Sequence, residues 1–260
     1  MEKWELVLVI YQETETTYAQ DPTGRQARAH RILDAAAELM LRWGYNKTTI
    51  DDIAKQAGVA KGTIYLHWKT REELFLALMR REKAELNKDF KAQIRTELAP
   101  WRLSAIVKQS ALALVKRPLL KAALLRDMDV LGKLLSSEER KTSQAERMAL
   151  FITYLEFLRQ QGLVRTDQTL HQQVYALSAI FMGFFQVAPL LPGESTPSPE
   201  EMAELIAETV HCALERERTL TAEEDEALVQ RWMQYVDQAA ALAQEQLQQA
   251  LTGSFRLNEN

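Results

Sequence analysis

The chain has 260 residues, 36 acidic against 32 basic side chains and a net charge of −4, with 47% of its residues apolar. Cys212 is the single cysteine, which excludes an internal disulfide and suits a reducing cytoplasm. Nine glycines and seven prolines among abundant Ala, Leu, Glu, Gln and Arg predict an all-α protein with length for one or two packed domains. The charge is unevenly spread: residues 25–71 carry nine basic and four acidic side chains, while residues 199–260 carry thirteen acidic and four basic ones. That polarity predicts one end suited to phosphates and an acidic end held away from them.

In residues 1–23, Trp4, Leu6, Leu8 and Ile10 alternate with other side chains as in a short strand, followed by polar residues. Two readings stay open: an ordered strand, or a disordered arm. The apolar run is too short to span a membrane and lacks a small-residue cleavage site. Residues 24–43 form the first predicted helix, with Ile32, Ala36, Leu39 and Trp43 on one face. Arg25, Arg28 and Arg31 crowd its start, where the helix dipole does not favour cations; phosphate contact by Arg28 or Arg25 and a merely solvated surface are the two readings.

Residues 48–74, TTIDDIAKQAGVAKGTIYLHWKTREEL, carry the strongest pattern. Ile50, Ile53, Ala54 and Ala57 share a helical face, Thr48 or Thr49 can cap it, and Asp51 or Asp52 completes a capping-box-like pattern. Gly58 supplies a left-handed stop. A second short helix follows over residues 60–68, with Ile64 and Trp68 as its buried stripe. Helix, glycine turn, helix is the helix-turn-helix arrangement, whose second helix enters the DNA major groove.

This stretch resembles the DNA-binding signature of the TetR (tetracycline-repressor) family. The matching residues are Gly44, Tyr45, Thr48, Thr49, Ile53, Ala54, Ala57, Gly58, Val59, Lys61, Gly62, Tyr65, Lys69, Glu73 and Leu74. The resemblance covers residues 24–74. Three positions depart from it: Ala60 stands where a serine or threonine usually caps the second helix, Trp68 replaces phenylalanine or tyrosine, and Arg71 replaces lysine. The resemblance implies a three-helix DNA-binding domain (residues 24–72) and a helical ligand-binding and dimerisation domain (residues 73–218). It also implies a homodimeric, cytoplasmic regulator, most simply a repressor, that leaves a palindromic operator when a small, largely apolar effector binds. The alternative is a helical small-molecule or protein-binding module with a vestigial DNA-reading end.

Thr70 and Glu73 predict a capping box opening a long helix that reaches toward Pro100, with Leu74, Leu78, Leu86, Phe90, Ile94 and Leu98 on its apolar side. Further helices are expected over residues 101–117, 118–135, 137–161 and 167–188, with Ser137 as a half-formed cap. The 167–188 helix is apolar nearly all round, which means burial on more than one side. After a proline-rich loop comes a helix over 199–218. An additional helix over 221–251, part of a C-terminal extension from residue 219, repeats Leu228, Trp232, Tyr235, Ala239 and Leu242. Packing on the body is its simplest role; extending a dimer interface or covering a pocket are the others.

The DNA-binding candidates are Lys61, Gly62 and Thr63 for base edges and Thr48, Tyr65, His67, Lys69 and Arg28 for phosphates. Trp101, Met128, Phe151, Tyr154, Phe181 and Phe184 are candidates for an effector site. Tyr175, Ser178, Met182, Phe185, Leu205 and Thr209 are candidates for a twofold interface, because the resemblance implies that the last two helices of the body pair with their mates. His30, His67, His171 and His211 lack metal-ligand spacing, and no phosphate loop, dinucleotide fingerprint or nucleophile elbow occurs. No cofactor, no metal, no membrane and no catalytic activity are expected.

Overall fold

A computed structural model describes residues 23–94, 99–132, 134 and 138–252. The expected strand near the start and the Ser137 cap lie outside them. Among the described residues the fold is helical, and the nearest approach to a sheet is an isolated bridge between Val164 and Glu215. The helices are α1 (Thr23–Trp43), α2 (Ile50–Ala57), α3 (Lys61–His67), α4 (Arg71–Ile94), α5 (Leu103–Val115), α6 (Pro118–Leu125), α7 (Met128–Leu131), α8 (Glu138–Gln160), α9 (Leu170–Val187), α10 (Pro199–Leu214) and α11 (Ala222–Thr252).

Most helices begin where the sequence provides a cap. Thr169 with Gln172, and Ser198 with Glu201, form reciprocal capping boxes that open α9 and α10, the latter with Pro199 in its first turn. The helix expected over residues 118–135 is instead two pieces. Arg126 takes a left-handed conformation (φ 55°) that ends α6, and the Asp127 carboxylate accepts the Asp129 and Val130 amides to start α7. The break lets α7 fold back on α1: the Tyr45 amide donates to the Val130 carbonyl at 2.7 Å. Gly44 is obligatory there, since a Cβ would lie 2.1 Å from the Asp129 carbonyl oxygen.

Two hydrophobic cores result, and neither follows the expected chain boundaries at 72 and 218. The first joins α1, α2, α3 and the start of α4 with Leu119, Ala122 and Leu131, and with Ala243, Leu247, Ala250 and Leu251 from the far end of α11. The second gathers α5, α6, α8, α9 and α10 around Leu228, Trp232 and Val236 from the near half of α11. Thus α11 runs beside α4 and belongs to both cores. Its buried positions, Leu228, Trp232, Val236, Ala243, Leu247, Ala250 and Leu251, follow a straight-helix period, so Tyr235, Ala239 and Leu242 are only half-buried. One single-residue expectation changes as well: Trp43, at the end of α1, is exposed because the chain turns at Gly44 and buries Tyr45 in its place. Cys212 is exposed.

Ion pairs brace the seam between the cores. Buried Arg81 of α4 donates to Asp34 of α1 at 2.5 Å, and Arg117 at the start of α6 donates to Asp89 of α4 at 2.6 Å. Buried Glu82 lies 3.6 Å from both guanidinium groups. A carboxylate shared between two cations is compensated for its burial, which an isolated one would not be.

Candidate nucleic-acid interface

The helix-turn-helix unit is built from its caps inward. The Asp52 amide donates to the Thr49 hydroxyl at 3.2 Å, and the Thr49 amide donates to the Asp52 carboxylate at 3.1 Å, closing the capping box. The Thr49 hydroxyl also donates to the Asp52 carboxylate at 2.5 Å, and that bond, then the one from the Thr49 amide, holds the Asp52 carboxyl below the usual carboxylate range. Gly58 ends α2 at φ 63°, ψ 40°, and its amide turns back to the Ala54 and Lys55 carbonyls. Ala60 has the extended backbone of an N-cap but no side chain to bond the first turn of α3. Ile64 and Trp68 are fully buried and hold the inner side of α3.

The outer side of α3 carries Lys61, Gly62, Tyr65 and Leu66, all exposed, with Lys69 just beyond its end. Leu66 is 69% exposed, an apolar side chain left uncovered by the described residues. A Cβ built on Gly62 would meet no atom within 4 Å, so this patch is open for close approach by a partner. The Lys61 ammonium is paired with Asp51 at 2.8 Å, which raises its pKa and gives it an anion to exchange for another partner. Thr63 is half-buried. Arg28 and Arg25 lie exposed on α1, and the Arg25 guanidinium donates to the Leu66 carbonyl at 3.2 Å, setting α1's cationic start against the end of α3.

Two expected contact residues are corrected. Thr48 is fully buried, and its hydroxyl donates to the Gly44 carbonyl at 2.9 Å, so its side chain serves the turn rather than the surface. His67 is 5% exposed, with its ring 5.3 Å from that of Trp68. Its Nδ1 is buried without a hydrogen-bond partner, and burial, then Arg25 and Arg28, lower its pKa from 6.5. One positioning residue went unnoticed in the sequence. Arg71 donates to the Tyr45 carbonyl at 3.2 Å and the Thr48 carbonyl at 3.0 Å, with its guanidinium 4.2 Å from the centre of the Tyr45 ring. A lysine could not do all three, so the departure from the family pattern at residue 71 was the available signal.

In the body, five of the six candidate effector residues, all but Met128, lie in or against one core but do not line a common cavity. The Trp101 indole donates to Asp225 and its carbonyl accepts the Tyr154 hydroxyl, both at 2.8 Å, so both rings are fixed in the core. Burial, then Tyr235 and Glu215, push the Tyr154 phenol well up. Met128 is 61% exposed on α7 and borders neither of the two cavities below, which corrects its assignment. Phe151, Phe181 and Phe184 are half-buried. Two small cavities lie between α4, α8 and α11. One of about 120 Å³ is bounded by Lys83, Asn87, Leu150, Tyr235, Leu242 and Gln246. One of about 40 Å³ touches Tyr154, Phe157, Arg231 and Tyr235. Of the expected residues, Tyr154 alone borders either of them.

On the interface candidates, Tyr175 is 78% exposed on α9 and Leu205 is exposed on α10. Ser178, Met182 and Thr209 are half-buried, the two hydroxyls donating to the carbonyls of Val174 and Leu205 one turn earlier. Phe185 is corrected: it is 1% exposed, 5.4 Å from the Phe181 ring, and belongs to the body core. By length and composition Leu170–Leu190 is apolar enough to cross a membrane, at a mean hydropathy of 1.4. Among the described residues no cluster of three or more His, Cys, Asp or Glu could hold a metal ion.

Residues 32–78 match the family described as bacterial regulatory proteins, tetR family. Among curated relatives, the fatty acid metabolism regulator protein of Bacillus subtilis is 34% identical over 77 residues, which are 30% of this chain and 40% of that one. The HTH-type transcriptional regulator QacR of Staphylococcus aureus is 38% identical over 63 residues, 24% of this chain and 34% of that one. The chain thus spans at most two fifths of the length of these relatives. In fold it is similar to the solved transcriptional regulator FadR from Bacillus subtilis in complex with stearoyl-CoA, with a TM-score of 0.55 at 18% identity over 70% of this chain and 96% of that one. Residues 32–78, which hold the helix-turn-helix unit, are thus similar to the DNA-binding segment of the tetR family of bacterial regulatory proteins.

Proposed function

We propose that the protein is a DNA-binding transcriptional regulator that acts as a homodimer, places α3 of each subunit in the major groove of a near-palindromic operator, and is released by a small effector. The observation that carries this reading is the outer side of α3. Lys61, Gly62, Tyr65 and Leu66 face outward on a helix whose inner side is anchored by Ile64 and Trp68. Lys61 can pair with guanine acceptors and Leu66 can meet a thymine methyl, while Tyr65, Lys69 and Arg28 suit phosphates. A second copy is the natural cover for the apolar side chains of Tyr175 and Leu205, because two such faces related by a twofold axis bury one another.

The effector reading draws on FadR, solved with stearoyl-CoA. Here the cavities of about 120 and 40 Å³ fall below the several hundred Å³ of ordinary ligand pockets. An effector therefore enters by parting α8 from α11 and α4, and the closed arrangement is the DNA-competent one. As a repressor, the protein would block transcription at its operator until the effector releases it.

The deciding experiment is selection of bound DNA from a random duplex pool at moderate salt. A palindrome with half-sites about one helical turn apart is expected. Recovery of no motif, together with binding that does not change with salt, would overturn the reading, because phosphate contacts release counterions.

A further inference from the structure

We infer that the last turns of α11 are a positioning strap for the recognition helix, a role that rests on the DNA-reading function proposed above. Trp68, the residue that caps the end of α3, donates its buried indole N–H to the Ala250 carbonyl at 3.0 Å. Around that bond, Ala243, Leu247, Ala250 and Leu251 are buried in the same core as Ile64, Trp68 and Phe75. From α4 the Arg80 guanidinium donates to the Gln246 carbonyl at 3.3 Å, and from α1 the Gln26 amide reaches Gln248 at 3.5 Å. The end of α11 therefore touches the cap of α3 and the two helices that frame it.

The other end of α11 is anchored elsewhere. Leu228, Trp232 and Val236 lie in the body core, and Asp225 accepts the Trp101 indole. Midway, Lys91 of α4 pairs with Asp237 at 2.6 Å. At 1.5 Å per residue, the 31 residues of α11 span roughly 46 Å from body to reading head. The recognition helix is thus held to the body twice, through the short covalent turn into α4 and through the packed end of α11. Charge fits the same role. The acidic residues Glu223, Glu224, Asp225 and Glu226 sit at the body end, whereas residues 238–252 contain one charged side chain, Glu245, among glutamines and alanines. The strap thus brings almost no negative charge to the end of the molecule that meets phosphate.

A strap of this kind fixes the angle of each reading head, and so the distance between the two heads of a dimer. Its signature is discrimination between half-site spacings, which a merely stabilising helix would not set. The probes are the duplex recovered by selection with the full chain and versions with the half-sites moved apart by one or two base pairs. Two variants are compared with the full chain: a chain ending after Ala240 and Leu247→Gln. Hydrogen exchange of the amides of residues 61–68 is followed without DNA. Both variants are expected to keep a helical body, exchange residues 61–68 about ten-fold faster, and lose most of the spacing discrimination; Leu247→Met restores it. Unchanged exchange and unchanged discrimination would overturn the inference. So would outright unfolding of α1–α3 in both variants, which would show that α11 is required for that domain to fold at all and does not specifically position α3. If the full chain selects no duplex, the DNA-reading function fails, and the exchange comparison still decides whether α11 holds α3.

Discussion

Thr48 and Thr49 are adjacent, chemically alike and opposite in use. Thr48 spends its hydroxyl on the Gly44 carbonyl inside the turn, and Thr49 caps α2 at the surface. Thr49→Ala is expected to cost about 1 kcal/mol of stability, measured by chemical denaturation, because the Asp52 amide loses its acceptor. His67 yields a pH prediction. Its folded pKa lies below its ordinary 6.5, so between the two values the unfolded chain holds a proton that the folded chain does not. Stability is therefore full above about pH 6.5 and falls as the pH drops below it. His67→Phe, which keeps an aromatic ring beside Trp68, should flatten part of that fall, seen as a smaller shift in urea midpoint between pH 7.5 and 5.5. His30, lowered by burial and then by Arg81, contributes in the same direction. The sequence showed polar residues at 48 and 67 on a reading unit. It could not show that both point inward, because that depends on Gly44 and on the packing around Trp68, which lie outside the local period.

At the scale of elements, what is local was legible and what is tertiary was not. The capping box at Thr49, the left-handed Gly58 and the Ile64–Trp68 stripe are all encoded within a few residues, and the structure has them. The break at Arg126 was not legible, because an arginine carries no left-handed signature; the contact of α7 with the α1–α2 turn imposes it. For α11, periodicity announced a helix and an apolar side, but a repeat does not name its partner, and the span across two cores came only with the fold. The uncapped start of α3 gives a prediction at this scale. Ala60 already has φ −70° and ψ 145°, the backbone of an N-cap. Ala60→Ser needs no rearrangement, and the hydroxyl can accept a first-turn amide of α3. A gain of about 0.5–1 kcal/mol in thermal or urea unfolding is expected. No gain would mean that α3 is held by Trp68 and α11 rather than by its own first turn.

Across the whole molecule, charge and exposure divide the labour. The basic stretch from Arg25 to Arg71 surrounds the recognition helix, and the acidic start of α11 lies at the body end of that helix. A group of exposed apolar side chains lies on α9, α10 and the turns between them, where Tyr175, Val187, Leu190 and Leu205 are exposed. Isolated exposed apolar residues need no explanation, but a group of them on neighbouring elements does. If a second copy covers that surface, charging it should separate the subunits without disturbing either core. Tyr175→Glu with Leu205→Glu places two carboxylates on each facing surface, and sedimentation should show a monomer with unchanged helicity. Affinity for a two-half-site duplex should then drop by about 100-fold or more, because each head binds alone and the gain from tethering is lost. Affinity for a single half-site should stay the same, since α3 and its supports are untouched. A dimer that survives both charges would put the twofold elsewhere. A monomer that still held the full duplex at the original affinity would remove the need for a twofold altogether.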